Sequence, residues 1–373
     1  MSHYSWTVAI DKGAGWVSIS DVQNLSFRYG QQQLTDNWSP PVWIITGRRP
    51  DLLGTVTLGD AISVSNTGTN AYQFTVTNFE VNYGIKSSMD TWTIQAEGPF
   101  SALARSVIST SWTSSNISPE AAANVMQAAA LNSVVNPNVL YAPAGCYVSA
   151  QGIVNQTGLD VFTRLARTAG AEIGGLYANF PYAECYAKNA DTIYWRDPQD
   201  NATNAPSYVF TDSTPTSTSA VYDNLSFGSL NLNYANKVVV TPVGGAAQTV
   251  GTGNSGYETT TYSLTNADAL PVAYRLYGLL QGSQQVPTSI SFTKEQQSET
   301  AILPTQVAYL NGTRFIQLNF RGAVYYASII GQDLSATPDS TRITLYLCSA
   351  GNGGAFTLDS TSLGVLDQNR LGI

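Results

Sequence analysis

Short segments in which apolar and polar residues alternate recur along most of this 373-residue chain. In the first hundred residues they span 6–10, 16–20, 61–65, 72–81 and 91–97. Beyond residue 224 they span 225–234, 237–243, 288–293, 314–320, 324–330 and 341–349. Their β-branched and aromatic residues, at a period of two, predict half-buried strands, and the Gly, Asn and Asp residues between them predict turns. The pattern therefore restricts the chain to a mainly β fold.

Three segments replace the strand pattern with a helical one. Residues 118–131 combine a capping serine with a proline at the first helical position. Residues 159–169 carry an apolar stripe and are followed by Gly170, which ends the helix. A third helix covers residues 267–281, where Pro271 allows either a start or a kink. We therefore expect small helical inserts within a β protein.

Two shifts in composition divide the chain. Six of the seven tryptophans lie at or before Trp112, and residues 199–221 are rich in Pro, Ser and Thr, which predicts a linker or long loop. The predicted divisions are a first β domain, a helix-containing insert domain, a second β domain with a helical insertion, and a C-terminal docking tail, at 1–105, 106–198, 199–350 and 351–373. The fold class is mainly β with small α+β inserts. Two β modules around an insert suggest a duplicated architecture, although we identify no internal sequence repeat that proves one.

The last sixteen residues form a double octad of apolar and turn-forming residues. Six apolar groups and one arginine mark it: Leu358, Leu363, Val365, Leu366, Arg370, Leu371 and Ile373. A free tail with six exposed apolar groups would be a liability, since burying each is worth about 1.5–3 kcal/mol. The C-terminal segment either folds back on its own domain or docks on a neighbouring subunit or the next protein of an assembly, with Arg370 as a polar anchor. We favour docking.

Charged residues make up only 11% of the chain, and the net charge is −8. Either neighbours in an assembly cover much of the surface, or the surface is the uncharged polar one typical of all-β proteins. Without a Lys/Arg run, nucleic-acid binding by counterion release is not expected. If nucleic acid only slid through a channel in the protein, we would instead expect the channel walls to be neutral or acidic. Neither an export signal nor a transmembrane helix is recognisable.

The residues required for common active sites are missing from the sequence. The single histidine, His3, lies at the N-terminus, no Cys/His cluster has zinc spacing, and no phosphate-binding glycine motif occurs. The glycine-rich stretch 351–356 has the character of a turn. Asp197, Asp200 and Asn201 could hold calcium, but such clusters are also common turn formers. We predict no catalytic residue, no cofactor and no metal site.

Two carbohydrate-related hypotheses come from the acidic and aromatic residues. Asp90 with Glu97, or Glu80 with either, could form the paired carboxylates of a glycoside hydrolase, and the nearby tryptophans could stack on sugars. Alternation along the strands instead places most tryptophans in a core or an interface. We therefore predict a structural protein rather than an enzyme, with a carbohydrate-binding receptor module as a competing function.

The order of motifs resembles the minor tail or tail hub proteins of long-tailed bacteriophages, a family related in fold to the baseplate hub of contractile tails. The opening segment 16–51 and its continuation 73–105 are similar to that family, although Gly98-Pro99-Phe100 replaces its usual acidic residue. GLDVFTRLARTAGA followed by DTIYWRDP, and LNLNYANKVVVTP, resemble its helix and strand motifs. The ending LGVLDQNRLGI is the most specific match.

This resemblance implies two tube-like β-barrel modules in one chain. It implies a homo-oligomer, a trimeric ring at the tail tip of the virion, assembled in the bacterial host cytoplasm. The ring would join the tail tube to the tip fibre, contact the distal tail protein and tape-measure protein, and leave a channel for genome ejection. DNA would be in contact only in transit, and the chain would not insert into a membrane. A distal tail protein or receptor-binding tail-tip protein is the alternative.

Overall fold

Strands form more than half of the part of the chain that the structure describes. This computed structural model describes residues 6–30, 32, 39–66, 70–98, 101, 104–108, 112–113, 117, 122, 136–139, 147–150, 155–169, 182–183, 192–195, 208–214, 219–228, 235–280, 286–294 and 315–349. The predicted mainly β class is confirmed, since these residues contain twenty strands and two longer helices.

Seven strands come first in the chain. They are β1 (Trp6–Asp11), β2 (Trp16–Ile19), β3 (Val22–Gly30), β4 (Ser39–Arg48), β5 (Ala61–Asn66), β6 (Asn70–Asn82) and β7 (Thr91–Glu97). Two single-turn 3₁₀ helices, Pro50–Leu52 and Ser87–Met89, lie between them. Alternation along β7 buries Trp92, Ile94 and Ala96 and leaves the intervening residues partly or fully exposed, as its period of two predicts.

The central part of the chain adds two small α+β groups. The first contains β8 (Asn136–Val139), α1 (Gly158–Ala169), β9 (Tyr182–Ala183) and β10 (Thr192–Trp195). After β11 (Tyr208–Thr211), β12 (Ser219–Val221) and β13 (Asn224–Gly228), the second contains β14 (Lys237–Pro242), β15 (Gln248–Gly251), β16 (Gly256–Thr261) and α2 (Asn266–Leu280). The last strands are β17 (Val286–Lys294), β18 (Phe315–Phe320), β19 (Ala323–Ala336) and β20 (Thr341–Ser349).

Both described helices lie where the sequence predicts them. Helix α2 begins after Thr265, whose hydroxyl and backbone exchange hydrogen bonds with Asp268 at 2.8–3.3 Å, so this capping interaction sets its start and Pro271 lies inside the helix. It packs on β14 and β15 through a small core that includes Val238 and Val240. The predicted helix at 118–131 lies almost wholly outside the described residues.

The predicted linker at 199–221 is wrong at two places, because it contains the strands β11 and β12. Strand β11 pairs in parallel with both β12 and β18. Its sequence, Tyr-Val-Phe-Thr, is short but consists of β-branched and aromatic residues. The ring centroids of Phe210 and Phe292 lie 5.5 Å apart in the core. Tertiary pairing therefore outweighs a local composition typical of loops.

The chain uses one strand order twice. The N-terminal module, β1–β7, has the order β3-β4-β7-β6-β5-β1-β2. The C-terminal module, β11–β13 with β17–β20, has the order β13-β17-β20-β19-β18-β11-β12. When the strands are renumbered from one to seven within each module, the two orders are identical. Only the direction of the first strand differs: β11 is parallel to both of its neighbours, whereas β1 is antiparallel to both of its neighbours. The duplicated architecture suggested by the sequence is therefore present in the described strands.

The match extends to individual residues. One row of cross-strand partners in the N-terminal module and its counterpart in the C-terminal module read Asn24–Thr46–Thr93–Glu80 and Asn224–Ser291–Thr344–Asp333. The adjacent rows read Leu25–Ile45–Ile94–Phe79 and Leu225–Ile290–Leu345–Gln332. The tetrapeptide Asn-Leu-Ser-Phe stands at 24–27 and again at 224–227, at equivalent positions in β3 and β13. This short repeat is the sequence signal that the sequence analysis missed.

A single sheet connects the two modules. Residues 323–328 of β19 pair with β18, and residues 331–336 of the same strand pair with β3. The sheet therefore continues through β6-β7-β4-β3-β19-β20-β17-β13, and one hydrophobic core includes residues of both modules. The resemblance implied two barrels, whereas among the described residues the strands form this continuous sheet and no closed barrel.

Gln332 interrupts the apolar row of the C-terminal module and is fully buried. Neither atom of its side-chain amide has a hydrogen-bond partner among the described residues. We expect Gln332→Met to raise the free energy of unfolding by about 1–3 kcal/mol, because it removes the desolvation cost of the amide. Urea denaturation measures the change. Gln23→Met, at an exposed glutamine, is the control and should change it by less than about 0.5 kcal/mol. Destabilisation by Gln332→Met would contradict this account of the amide.

Candidate functional site

The junction between β3 and β19 is the contact through which the two modules meet. On its inner face Leu334 lies opposite Phe27, and Ala336 lies opposite Leu25, and all four side chains are at most 2% exposed. The Phe27 ring stacks on Trp43 with ring centroids 4.6 Å apart. Burial of these side chains on both sides fixes the register, because a slip of one residue would turn them all to the outer face.

A polar cluster covers the outer face of the junction. The Arg28 guanidinium lies 3.4 Å from the Asp333 carboxylate, the Tyr346 hydroxyl donates to Asp333 at 2.6 Å, and Gln32 donates to the Tyr346 oxygen at 3.2 Å. Burial, the hydrogen bond to Asp333 and the negative charge of Asp333 together raise the pKa of Tyr346 to about 12. The ion pair is solvent-exposed and contributes at most about 1 kcal/mol. The cluster therefore aligns three strands, β3, β19 and β20.

A second contact crosses the junction near the chain's first strand. The Trp6 indole donates to the Thr341 hydroxyl at 2.9 Å, and its ring meets the Trp43 ring edge-on at 6.0 Å. Because Trp6 belongs to β1 and Thr341 to β20, this hydrogen bond joins the two modules independently of the β3–β19 ladder.

The two ends of the continuous sheet are open edges in the part of the chain that the structure describes. At one end β6 pairs with β7 along residues 75–82, and its pairing with β5 stops at Thr75. At the other end β13 pairs with β17 only. The inward-facing residues of both edges are half-buried; they are Phe79, Val81, Leu225 and Phe227. An edge with half-buried apolar residues can accept another strand.

The loop from β6 to β7 presents apolar side chains beside one of these edges. Tyr83 is 81% exposed and Ile85 is 98% exposed. The loop is held in one shape by the Asp90 carboxylate, which accepts from the Gly84 amide at 2.8 Å, and by the Met89 amide, which donates to the Lys86 carbonyl at 2.8 Å. Exposed apolar groups on a hydrogen-bonded loop are typical of a contact surface for another protein.

The three carboxylates considered for a hydrolase are not arranged as a catalytic pair. At about 3.3 Å per residue, Asp90, which directly precedes β7, lies about 23 Å from Glu97 along the chain. Glu80, opposite Thr93, lies at least about 13 Å from Glu97 and at least about 10 Å from Asp90 between backbone positions. Paired carboxylates of glycosidases are about 5–9.5 Å apart. Partial burial acts to raise the pKa of Glu97, but the hydrogen bonds of its carboxylate with Arg105, Gln95 and Thr77 and the positive charge of Arg105 together outweigh it, so the pKa is lowered. A general acid needs the opposite shift.

The tryptophans considered for sugar stacking are mainly core residues. Trp43, Trp92 and Trp112 are at most 1% exposed. The Trp92 indole donates to the Arg48 carbonyl at 2.8 Å, and its ring packs so close to Gly47 that a Cβ there would lie 2.2 Å from a ring carbon. Trp16, on β2, is 45% exposed. Of the buried tryptophans, Trp92 lies in a predicted alternating segment, so alternation predicted its burial correctly.

Several predicted sites lie outside the described residues. They are the docking residues Leu358, Leu363, Val365, Leu366, Arg370, Leu371 and Ile373, the calcium candidates Asp197, Asp200 and Asn201, the glycine-rich stretch 351–356, and His3. Within the described ranges, no group of three His, Cys, Asp or Glu side chains is placed to hold a metal ion. The helices among those residues are all too short or too polar to cross a membrane.

Tyr346 gives the junction a measurable pH dependence. Because its pKa is raised in the folded state, the folded protein keeps this proton while the unfolded chain loses it above pH 10. Stability from this group is complete below about pH 10 and is lost as the pH rises towards 12. Urea denaturation from pH 9 to 11.5 should show a smaller alkaline loss in Tyr346→Phe than in the unmodified protein. Tyr83→Phe, at an exposed tyrosine, should keep the original slope; equal slopes in all three proteins would contradict the role of the cluster.

Comparison with known proteins supports the resemblance at the level of fold. No family model matches the chain, and no curated protein matches it by sequence. A tail protein from Neisseria meningitidis MC58 superimposes with a TM-score of 0.64 and 10% identity, over 93% of this chain and 96% of its own. The 43 kDa tail protein of prophage MuSo2 from Shewanella oneidensis gives 0.64 and 10%, over 92% and 98%.

A third similar structure comes from a secretion apparatus. It is an E. coli component of the type VI secretion system, itself described as structurally similar to the T4 bacteriophage tail proteins gp27 and gp5. Its TM-score is 0.52 at 13% identity, over 92% of this chain and 76% of its own. These identities establish a common fold only. The chain has the fold of phage tail proteins, as the order of its sequence motifs indicated.

Proposed function

We propose that the chain is a structural tail-tip hub protein of a bacteriophage virion. In this proposal three copies form a ring, so that each copy contributes two of six similar positions. One observation carries the proposal: two modules with the same strand order lie side by side in one chain and share a continuous sheet. A chain with two equivalent units is suited to connect a sixfold tube to a threefold tip. The similar tail proteins support this use of the fold.

The outer face of the continuous sheet is suited to line the channel of such a ring. Its side chains are mostly uncharged and polar, as in Asn24, Ser26, Thr93 and Gln95. The charges on this face include two neutralising pairs, Arg28 with Asp333 and Arg105 with Glu97. A neutral polar wall gives DNA few charges to bind, so DNA and the tape-measure protein could slide along it.

The remaining partners follow from the position at the tip. The ring would contact the tail tube and distal tail protein on one side and the tip fibre on the other, in virions assembled in the host cytoplasm. In this proposal the C-terminal tail, 351–373, docks on a neighbouring subunit or tail protein. A ring located above the tip by electron microscopy of the virion would favour a distal tail protein instead.

Deletion of residues 358–373 tests the docking tail. The truncated chain should keep its circular dichroism spectrum but fail to enter phage tails, because it lacks the six apolar groups that anchor it. Tail incorporation is measured by immunoblotting of purified particles after complementation of a knockout. Arg370→Ala is the milder companion and should lower incorporation without abolishing it. Normal incorporation of the truncated chain, with only a lower melting temperature, would refute the docking role.

A further inference from the structure

The two open edges of the sheet are the module-level counterparts of the two strands that meet at the junction. Ser335 pairs with Arg342 as Asn82 pairs with Thr91. Residues 331–336 of β19 therefore correspond to residues 78–82 of β6 and to Tyr83, which directly follows β6. Both strands also change register at the same place, between Ile329 and Gly331 and between Val76 and Asn78. The repeated tetrapeptide makes β13 the counterpart of β3. The two strands of the junction, β19 and β3, therefore correspond to β6 and β13, which do not pair with each other within the described part of the chain.

Burial differs between the two copies of the tetrapeptide. Leu25 and Phe27 are each 2% exposed, because Ala336 and Leu334 of β19 lie against them. Leu225 has the same local sequence and the same cross-strand position as Leu25, yet it is only half-buried. Phe227, which follows a register shift between β13 and β17, is also half-buried. The same difference separates Leu334, which is 2% exposed, from its half-buried counterpart Val81. Since Leu225 matches Leu25 in both sequence and position, the missing neighbour strand accounts for its greater exposure.

We propose that β6 of one copy pairs antiparallel with β13 of a second copy, in the register of the internal junction. Internally, Ser335 lies opposite Ser26 and Leu334 opposite Phe27. Transferred to the equivalent residues, Asn82 lies opposite Ser226 and Val81 opposite Phe227. Tyr83, 81% exposed in the isolated chain, then lies opposite Leu225. The contact covers the half-buried apolar residues of both edges at once.

We assign a second copy to each edge because β6 and β13 do not pair with each other within the described part of the chain. Strands β6 and β13 lie at opposite ends of an eight-strand series, β6-β7-β4-β3-β19-β20-β17-β13. Pairing of β6 with β13 is therefore head-to-tail, and it closes into a ring when the rotation per copy permits. The inference rests on the proposed ring and assigns its interface strands and their register.

A pair of cysteines tests the register directly. In the full-length double variant Asn82→Cys with Ser226→Cys, opposite residues of an antiparallel pair have Cα atoms about 4.5–5.5 Å apart, within the range that a disulfide spans. Mild oxidation should convert most of the protein to disulfide-linked species of up to three chains on non-reducing gels, and reduction should reverse this. Oxidising a mixture of the two single variants should give linked pairs of chains.

Two further double variants serve as matched controls. Ser26→Cys with Ser335→Cys occupies the equivalent internal positions and should form a bridge within one chain, with no change in chain number. Asn82→Cys with Asn224→Cys is out of register by two residues, about 7–8 Å across the diagonal, and should link at least tenfold less. Each single variant, oxidised alone, shows how much linkage between chains arises through the native cysteines Cys146, Cys185 and Cys348.

The outcomes separate this inference from the proposed function. If light scattering shows an oligomer, the internal control forms its bridge, and Asn82→Cys with Ser226→Cys does not link chains, the inferred interface is wrong and the ring stands. Equal linkage by the in-register and out-of-register pairs would also overturn the register. If the full chain remains a monomer at every concentration and is absent from purified virions, both the ring and this interface are wrong.

Discussion

Strand β19 is the element on which the rest of the structure depends. It pairs with β18 along its first half, with β3 along its second half, and with β20 on its other side. The register irregularity between Ile329 and Gly331 lies where it changes partner. A bulge at this point bends the strand, so that one strand can close its own module and still reach the next. Without this change of partner the modules would not share a sheet, and their inner faces at the junction would be exposed.

Alternation in the sequence predicted many of the strands, because each buries one face, but the alternating segments did not include β3, β4, β15 or β16. It predicted the ends of β1, β2, β5, β7 and β20 within about one residue, a closer result than is usual for element boundaries. It could not predict β11 and β12, which are short and are stabilised mainly by pairing with β18 and with each other. The sequence suggested the duplication without proving it, because only four identical residues mark it and the rest of the equivalence lies in which residues pair across strands.

The candidate interfaces were less predictable from sequence than the fold. An edge strand and a central strand have the same alternation, and the two tetrapeptides at 24–27 and 224–227 are identical although their burial differs. The separation of Asp90, Glu97 and Glu80 likewise depends on spacing along β7 and on its pairing with β6, which the sequence alone left open. The docking tail remains a prediction from its apolar octads. Its residues lie outside those the structure describes.

The internal junction also limits the kinds of assembly that fit the chain. A twofold dimer would pair β6 with β6, or β13 with β13, and each arrangement leaves the other edge open. The register of the junction provides no counterpart for either arrangement, since β19 pairs with β3 and not with another β19. Head-to-tail pairing uses both edges and repeats, between chains, a contact that the chain already makes within itself. Repetition of one contact at equal angles is what a closed ring requires, so the symmetry of an assembly can be read from a contact inside its subunit.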